Sequence, residues 1–156
     1  MYSINEILDI AVELEEAGYE FYAKCIDKFD DRVVKDLFTF LADEELVHKK
    51  LFLSMKSDDE SEKGVFTEEY YLYMKSIGGG KIFSDENDHD FDQIETVEDA
   101  VKKAFHDEKE SILLYSELKS HYSGDAEALP LLDRIIAEER NHVMKLYDTM
   151  KYIKGY

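Results

Sequence analysis

Four stretches of this chain carry an apolar seam whose steps alternate between three and four residues, and in each a glutamate interrupts the seam near its middle. The first seam passes through Leu8, Ala11, Glu15, Gly18, Tyr22 and Cys25, and the second through Phe38, Leu41, Glu45, His48 and Phe52. The third passes through Val101, Ala104, Glu108, Ser111 and Tyr115, and the fourth through Leu132, Ile135, Glu139, His142 and Leu146. That period belongs to helices that bury one face in a bundle. The chain is therefore predicted to be all-α, a four-helix bundle whose core contains four carboxylates and two imidazoles at similar depth.

The rest of the composition agrees. A single proline and no tryptophan accompany 44% apolar residues, so the turn punctuation of a sheet protein is missing. At 156 residues the chain reads as one domain, 1–156. Its net charge of −18, with no clustered Lys or Arg, excludes nucleic acid and anionic membrane surfaces as expected partners. The start at Met1 has neither a basic nor an apolar leader segment, and no apolar run reaches membrane-spanning length. A cytoplasmic location is the expectation. Cys25 stands alone, so an internal disulfide or a paired CxxC metal module is excluded.

Helix boundaries are marked by caps. Ser3 and Glu6 form a capping-box pattern, as do Thr96 and Asp99. Asp30 and Asp31 separate the first helix from a second, which is expected over about 32–56. A connection over about 57–95 follows, with a short Tyr-rich helix at Thr67–Ile77, a Gly78-Gly79-Gly80 stop and an acidic loop at Asp85–Asp92. A link this long can run the length of a bundle, so the second and third long helices are expected to be parallel. Gly124-Asp125 is a stop-and-restart signal, and Pro130 belongs in the first turn of the fourth helix.

The two halves repeat each other. Glu45-Leu-Val-His48 and Glu139-Arg-Asn-His142 lie 94 residues apart, and Glu15 and Glu108 lie 93 apart. Burying an unpaired carboxylate costs several kcal/mol, and no Lys or Arg sits in the seams to offset four of them. Two divalent cations would: four negative charges meet four positive ones. Gly18 and Ser111, three residues past Glu15 and Glu108, leave room. Mixed carboxylate and imidazole ligation suits iron or manganese best, with zinc also compatible. The candidate metal ligands are Glu15, Glu45, His48, Glu108, Glu139 and His142, and the hydroxyls of Tyr22 and Tyr115 need a buried partner, for which a ligand carboxylate is nearest.

In these residues the chain resembles the rubrerythrin branch of the ferritin-like di-iron carboxylate proteins. The likeness rests on Glu15 with Tyr22 seven residues on, Glu45-x-x-His48, Glu108 with Tyr115 seven on, and Glu139-x-x-His142. It implies a ferritin-like fold with up-down-down-up helices, often dimeric, so a homodimer is expected. It implies two iron ions, with Glu45 and Glu139 bridging, Glu15 and Glu108 terminal, and Tyr22 and Tyr115 hydrogen-bonded to ligating carboxylates. The activities implied are peroxide reduction and ferrous oxidation, with hydrogen peroxide or oxygen as oxidant. Three features depart from the family pattern. With one cysteine there is no rubredoxin module, so an external electron donor is required. Ser111 stands where rubrerythrins carry an extra carboxylate, and the crossover is longer than usual with a helix of its own.

Other groups read as ordinary. Glu13, Glu16, Glu44, Glu110 and Glu138 fall off the seams and are expected in solvent, as are His89, His106 and His121. Cys25 reads as a small buried apolar residue. The acidic run at Asp85–Asp90 fails the calcium-loop pattern, because Asp90 and Thr96 occupy the positions that require Gly and Glu. Three functions follow from these readings: a peroxide-reducing di-iron oxidoreductase, an iron-binding or ferroxidase protein, and a metal-free helical interaction module that docks through the tyrosine-rich crossover.

Overall fold

The structure, a computed structural model, describes residues 1–58, 64–78 and 89–156, with the backbone alone at 89 and 90. Among the described residues the elements run α1 (Ile4–Lys28), α2 (Arg32–Ser54), α3 (Glu68–Ile77), α4 (His89–Asp92), α5 (Val97–Ser120) and α6 (Ala128–Lys154). Both capping boxes are present, at Ser3 with Glu6 and at Thr96 with Asp99. Asp31 caps α2 by accepting from the amide of Val34. Pro130 falls in the first turn of α6, where its missing N–H costs nothing. Ahead of that turn Gly124 takes φ of 86°, and the Asp125 carboxylate accepts from the amides of Glu127 and Ala128.

α1 pairs with α2, and α5 with α6, as two hairpins. Contacts across the hairpins set their directions. Tyr22 and Glu15 of α1 meet Glu108 and Tyr115 of α5, respectively, so those helices are antiparallel. His48 and Glu44 of α2 meet Glu139 and His142 of α6, which makes that pair antiparallel too. The result is the up-down-down-up ferritin-like bundle, with α2 and α5 parallel as expected.

Two apolar clusters fill the bundle. One gathers Leu8, Phe52, Leu118 and Leu132 with their neighbours, and the other Cys25, Phe38, Val101 and Leu146 with theirs. The seam acids and histidines lie between these clusters in sequence on every long helix, so the charged groups form a layer sandwiched between two apolar ones. That placement removes water from around them.

The crossover touches both clusters. α3 buries Met74 and Ile77 in the first, and Tyr2 pairs with Phe66 through two backbone hydrogen bonds of 2.8 and 3.0 Å. Tyr71 stacks on Tyr2 with ring centroids 3.9 Å apart, and the Tyr70 hydroxyl lies 2.7 Å from His121 Nε2. The rings of Tyr70 and Tyr71 are thus half-buried on the bundle, while Leu72 and Tyr73 remain exposed. At the far end Phe91 packs edge-on against Phe21 in the second cluster. The reading of 85–92 as a loop needs correction over its last four residues, which form the single turn α4. Phe91 and Ile94 hold that turn against the apolar end of the bundle. Residues 59–63, Gly79, Gly80, 85–88 and the side chain of His89 lie outside the described residues.

Candidate metal centre

Each long helix contributes its seam glutamate at mid-height, and α2 and α6 add a histidine one turn later. Glu15, Glu45, His48, Glu108, Glu139 and His142 are all buried, none more than 5% exposed. Single atoms of Glu45, Glu108, Glu139 and His142 lie within 4.8 Å of one another, and so do atoms of Glu15, His48 and Glu139. The six predicted residues therefore converge, and Glu139 is shared between the two groups.

The imidazoles stack at 5.7 Å with their planes 24° apart. His48 Nδ1 is 2.9 Å from Glu139 Oε1 and 3.6 Å from Glu15 Oε1. His142 Nδ1 is 3.5 Å from Glu108 Oε2 and 3.4 Å from Glu139 Oε2, without forming a hydrogen bond. The tyrosines cross between the halves. Tyr22 on α1 donates to Glu108 on α5 at 2.6 Å, and Tyr115 on α5 donates to Glu15 on α1. Both expected hydrogen bonds are therefore present, each reaching into the opposite hairpin.

Gly18 is required for space. A Cβ there would stand 2.7 Å from Glu45 Oε2. Ser111, its counterpart, spends its hydroxyl on the carbonyl of Asp107 in its own helix.

The protonation pattern is that of a site designed around cations. Burial, then the Glu15 and Glu108 charges, hold the Glu45 carboxyl well above its usual range. Burial and the Glu108 charge do the same to Glu139. Burial opposes charging Glu108, but contacts with Glu139, His142 and Tyr22 outweigh it and lower its pKa to about 2. Burial also opposes charging the imidazoles, yet the surrounding carboxylates win and raise His48 to about 11 and His142 to about 10. Protons thus sit where positive charge is wanted. Even so, Glu15 Oε2, Glu108 Oε2, Glu139 Oε2 and both ring nitrogens of His142 are buried without a hydrogen-bond partner. Buried polar atoms without a partner are rare in native proteins, and each calls for one, an ion or an ordered water among them. Oxygen and imidazole donors in this ratio are compatible with iron.

The structure also corrects the sequence reading at Glu44 and Glu138. Neither is in free solvent: both are half-buried against the outer edges of the imidazoles. Glu138 Oε2 lies 2.8 Å from His48 Nε2, and Glu44 Oε2 lies 3.7 Å from His142 Nε2. The helical period hid them, because one step off the seam points about 100° away on an isolated helix. Their signal was the acid doublet, Glu44-Glu45 and Glu138-Glu139, repeated in register. Glu13 and Glu16 are exposed and Glu110 is half-buried. His106 is exposed beside Asp107, and His121 is exposed but bound to Tyr70.

An all-helical bundle enclosing a buried layer of carboxylates and imidazoles defines the class of ferritin-like di-iron carboxylate proteins. A solved structure from Thermotoga maritima, described as a ferritin-like diiron-carboxylate protein, is similar over 96% of this chain and 95% of that one, with a TM-score of 0.71 and 27% identity. The family model for rubrerythrin matches residues 6–90, just over half of the sequence and nearly all of the first hairpin. The chain belongs to the rubrerythrin family. An uncharacterized protein from Archaeoglobus fulgidus is 37% identical over 57 residues, which is 36% of this chain and 87% of that one.

Proposed function

We propose that this protein is an oxidoreductase that reduces hydrogen peroxide at a pair of irons held by Glu15, Glu45, His48, Glu108, Glu139 and His142. The observation that carries this reading is the set of buried carboxylate and imidazole atoms left without partners between two apolar layers. Two bound irons would supply the two electrons that cleave an O–O bond. The chain's own residues do the rest. Glu139, shared between the two ligand groups, is placed to link them, and Glu45 takes the matching position across the repeat. Tyr22 and Tyr115 fix Glu108 and Glu15 by hydrogen bonds, so the terminal carboxylates keep their orientation when the charge of the site changes. The flanking apolar clusters exclude bulk water, which strengthens every electrostatic contact within.

Peroxide consumes two electrons and two protons to give two waters, and the electrons come from a separate carrier, because Cys25 is buried and alone. Exposed apolar side chains on α2 and α6, among them Phe40, Val47, Met144 and Tyr147, support assembly as a homodimer. No described helix is long and apolar enough to cross a membrane.

The test is stopped-flow reoxidation. Reduced, iron-loaded protein should reoxidise much faster with hydrogen peroxide than with dioxygen. The reverse order would replace this reading with ferrous oxidation in iron handling. Iron content near zero in protein isolated from its host would leave a helical interaction module instead.

A further inference from the structure

The internal repeat breaks beside the imidazoles, where Arg134 has no counterpart in the first half. On α6, Arg134 Nε donates to Glu138 Oε1 at 2.8 Å, and the other oxygen of Glu138 meets His48 Nε2 at 2.8 Å. Arg134, Glu138 and His48 thus form a chain running from the surface into the centre, crossing from one hairpin to the other. The repeat maps Glu138 onto Glu44 and Arg134 onto Phe40, each 94 residues earlier. Phe40 offers no donor. Its ring meets His142 edge-on at 5.7 Å, with Lys145 above it at 5.1 Å. Glu44 stays 3.7 Å from His142 Nε2, and that fully buried nitrogen has no hydrogen-bond partner; an oxygen of Glu44 also comes within 4.8 Å of His48 and Glu138, but the hydrogen bond on His48 Nε2 is the one to Glu138.

We propose that Glu138, held by Arg134, is a positioning residue for His48, and that the His48 half of the centre binds metal first and more tightly than the His142 half. The inference rests on the metal-centre reading above. A carboxylate on Nε2 holds a proton on that nitrogen and leaves Nδ1, which faces Glu139 and Glu15, as the nitrogen turned to the metal. It also holds the ring in place before any metal arrives, so less freedom is lost on binding. His142 is packed against Phe40 and His48 but lacks that outer hydrogen bond, so nothing on its Nε2 selects which nitrogen keeps a proton when the metal binds.

The test is anaerobic titration of the metal-free full chain with cobalt(II), followed by visible absorption and calorimetry. Two steps are expected, the first on the order of tenfold tighter, the scale at which outer partners of a ligating histidine act. His48→Ala should remove the tighter step and His142→Ala the weaker one. Glu138→Ala should weaken the tighter step by about 10- to 100-fold while leaving the weaker one. Glu138→Gln, which still accepts from Nε2–H, should recover part of that loss, and Glu44→Ala should leave the tighter step in place. Circular dichroism of the Glu138 variants should stay helical, since that side chain reaches the surface at 27% exposure. Two equal steps in the wild type, or equal effects of Glu138→Ala and Glu44→Ala, would overturn the inequality. A wild-type chain that takes up no cobalt would overturn the metal centre itself, and the inequality with it.

Discussion

Gly18 shows how tightly a single residue is constrained here. Its Cα faces the Glu45 carboxylate, and one added methyl group would stand 2.7 Å from Glu45 Oε2 and 3.0 Å from its Cδ. The Glu45 side chain is flexible enough to move aside, so Gly18→Ala should fold with an unchanged circular dichroism spectrum. What it loses is the position of a ligand. Metal affinity should fall on the order of tenfold, as when the surroundings of a ligand are disturbed, and equilibrium dialysis against manganese(II) measures it. Ser111→Ala, at the matching place on α5, should bind normally, because that hydroxyl is committed to the Asp107 carbonyl. At this scale the sequence was informative wherever a residue lay on a seam: an acid in an apolar row has few explanations. It was uninformative one step off the seam. Glu44 and Glu138 read as solvated because their roles depend on imidazoles supplied by a helix far away in sequence, which no local pattern encodes.

The helices themselves were legible because caps and periods are local. The two capping boxes, the Asp31 cap and the parallel α2 and α5 follow from residues a few positions apart or from the length of the link. The start of α6 was harder, because Pro130 permits several first turns. The structure resolves it through Asp125, whose carboxylate serves two amides ahead of the first turn. Asp125→Ala should therefore lower stability, because the amides of Glu127 and Ala128 lose their acceptor. Urea unfolding would read this as a lower midpoint at unchanged slope. A loss near zero would mean that packing of Leu132 and Ile135 alone fixes this helix end. The turn α4 was not legible, since four residues have no period; its position depends on Phe91 and Ile94 meeting a cluster built by other helices. The tyrosines of α3 were legible as aromatic, but not as divided between a face on the bundle and a face in solvent.

For the whole molecule, the buried layer makes stability and metal occupancy respond to pH in opposite directions. In the metal-free chain His48 and His142 have folded pKa values of about 11 and about 10 against 6.5 when free. A raised pKa contributes stability that is complete below the free value and is lost as pH climbs to the folded one. Glu45 and Glu139, raised above 4.5, act in the same direction from a lower starting point. Glu108, lowered to about 2, is the counterweight: its contribution exists above 4.5 and disappears in acid. The metal-free protein should therefore be most stable in mild acid and melt at progressively lower temperature as pH rises from about 5 to about 9. Net charge adds to that decline, because a chain at −18 repels itself more as its last protons leave. Bound metal reverses the local part. Its ligands must shed those same protons, so affinity, and the stabilisation it confers, increase with pH. Self-repulsion acts on both forms and cancels in their difference. The gap in melting temperature between chains with and without manganese(II), followed by circular dichroism, should accordingly widen from about pH 5 to about pH 9. A constant gap would mean that the metal displaces no protons, and therefore binds somewhere other than among these carboxylates and imidazoles.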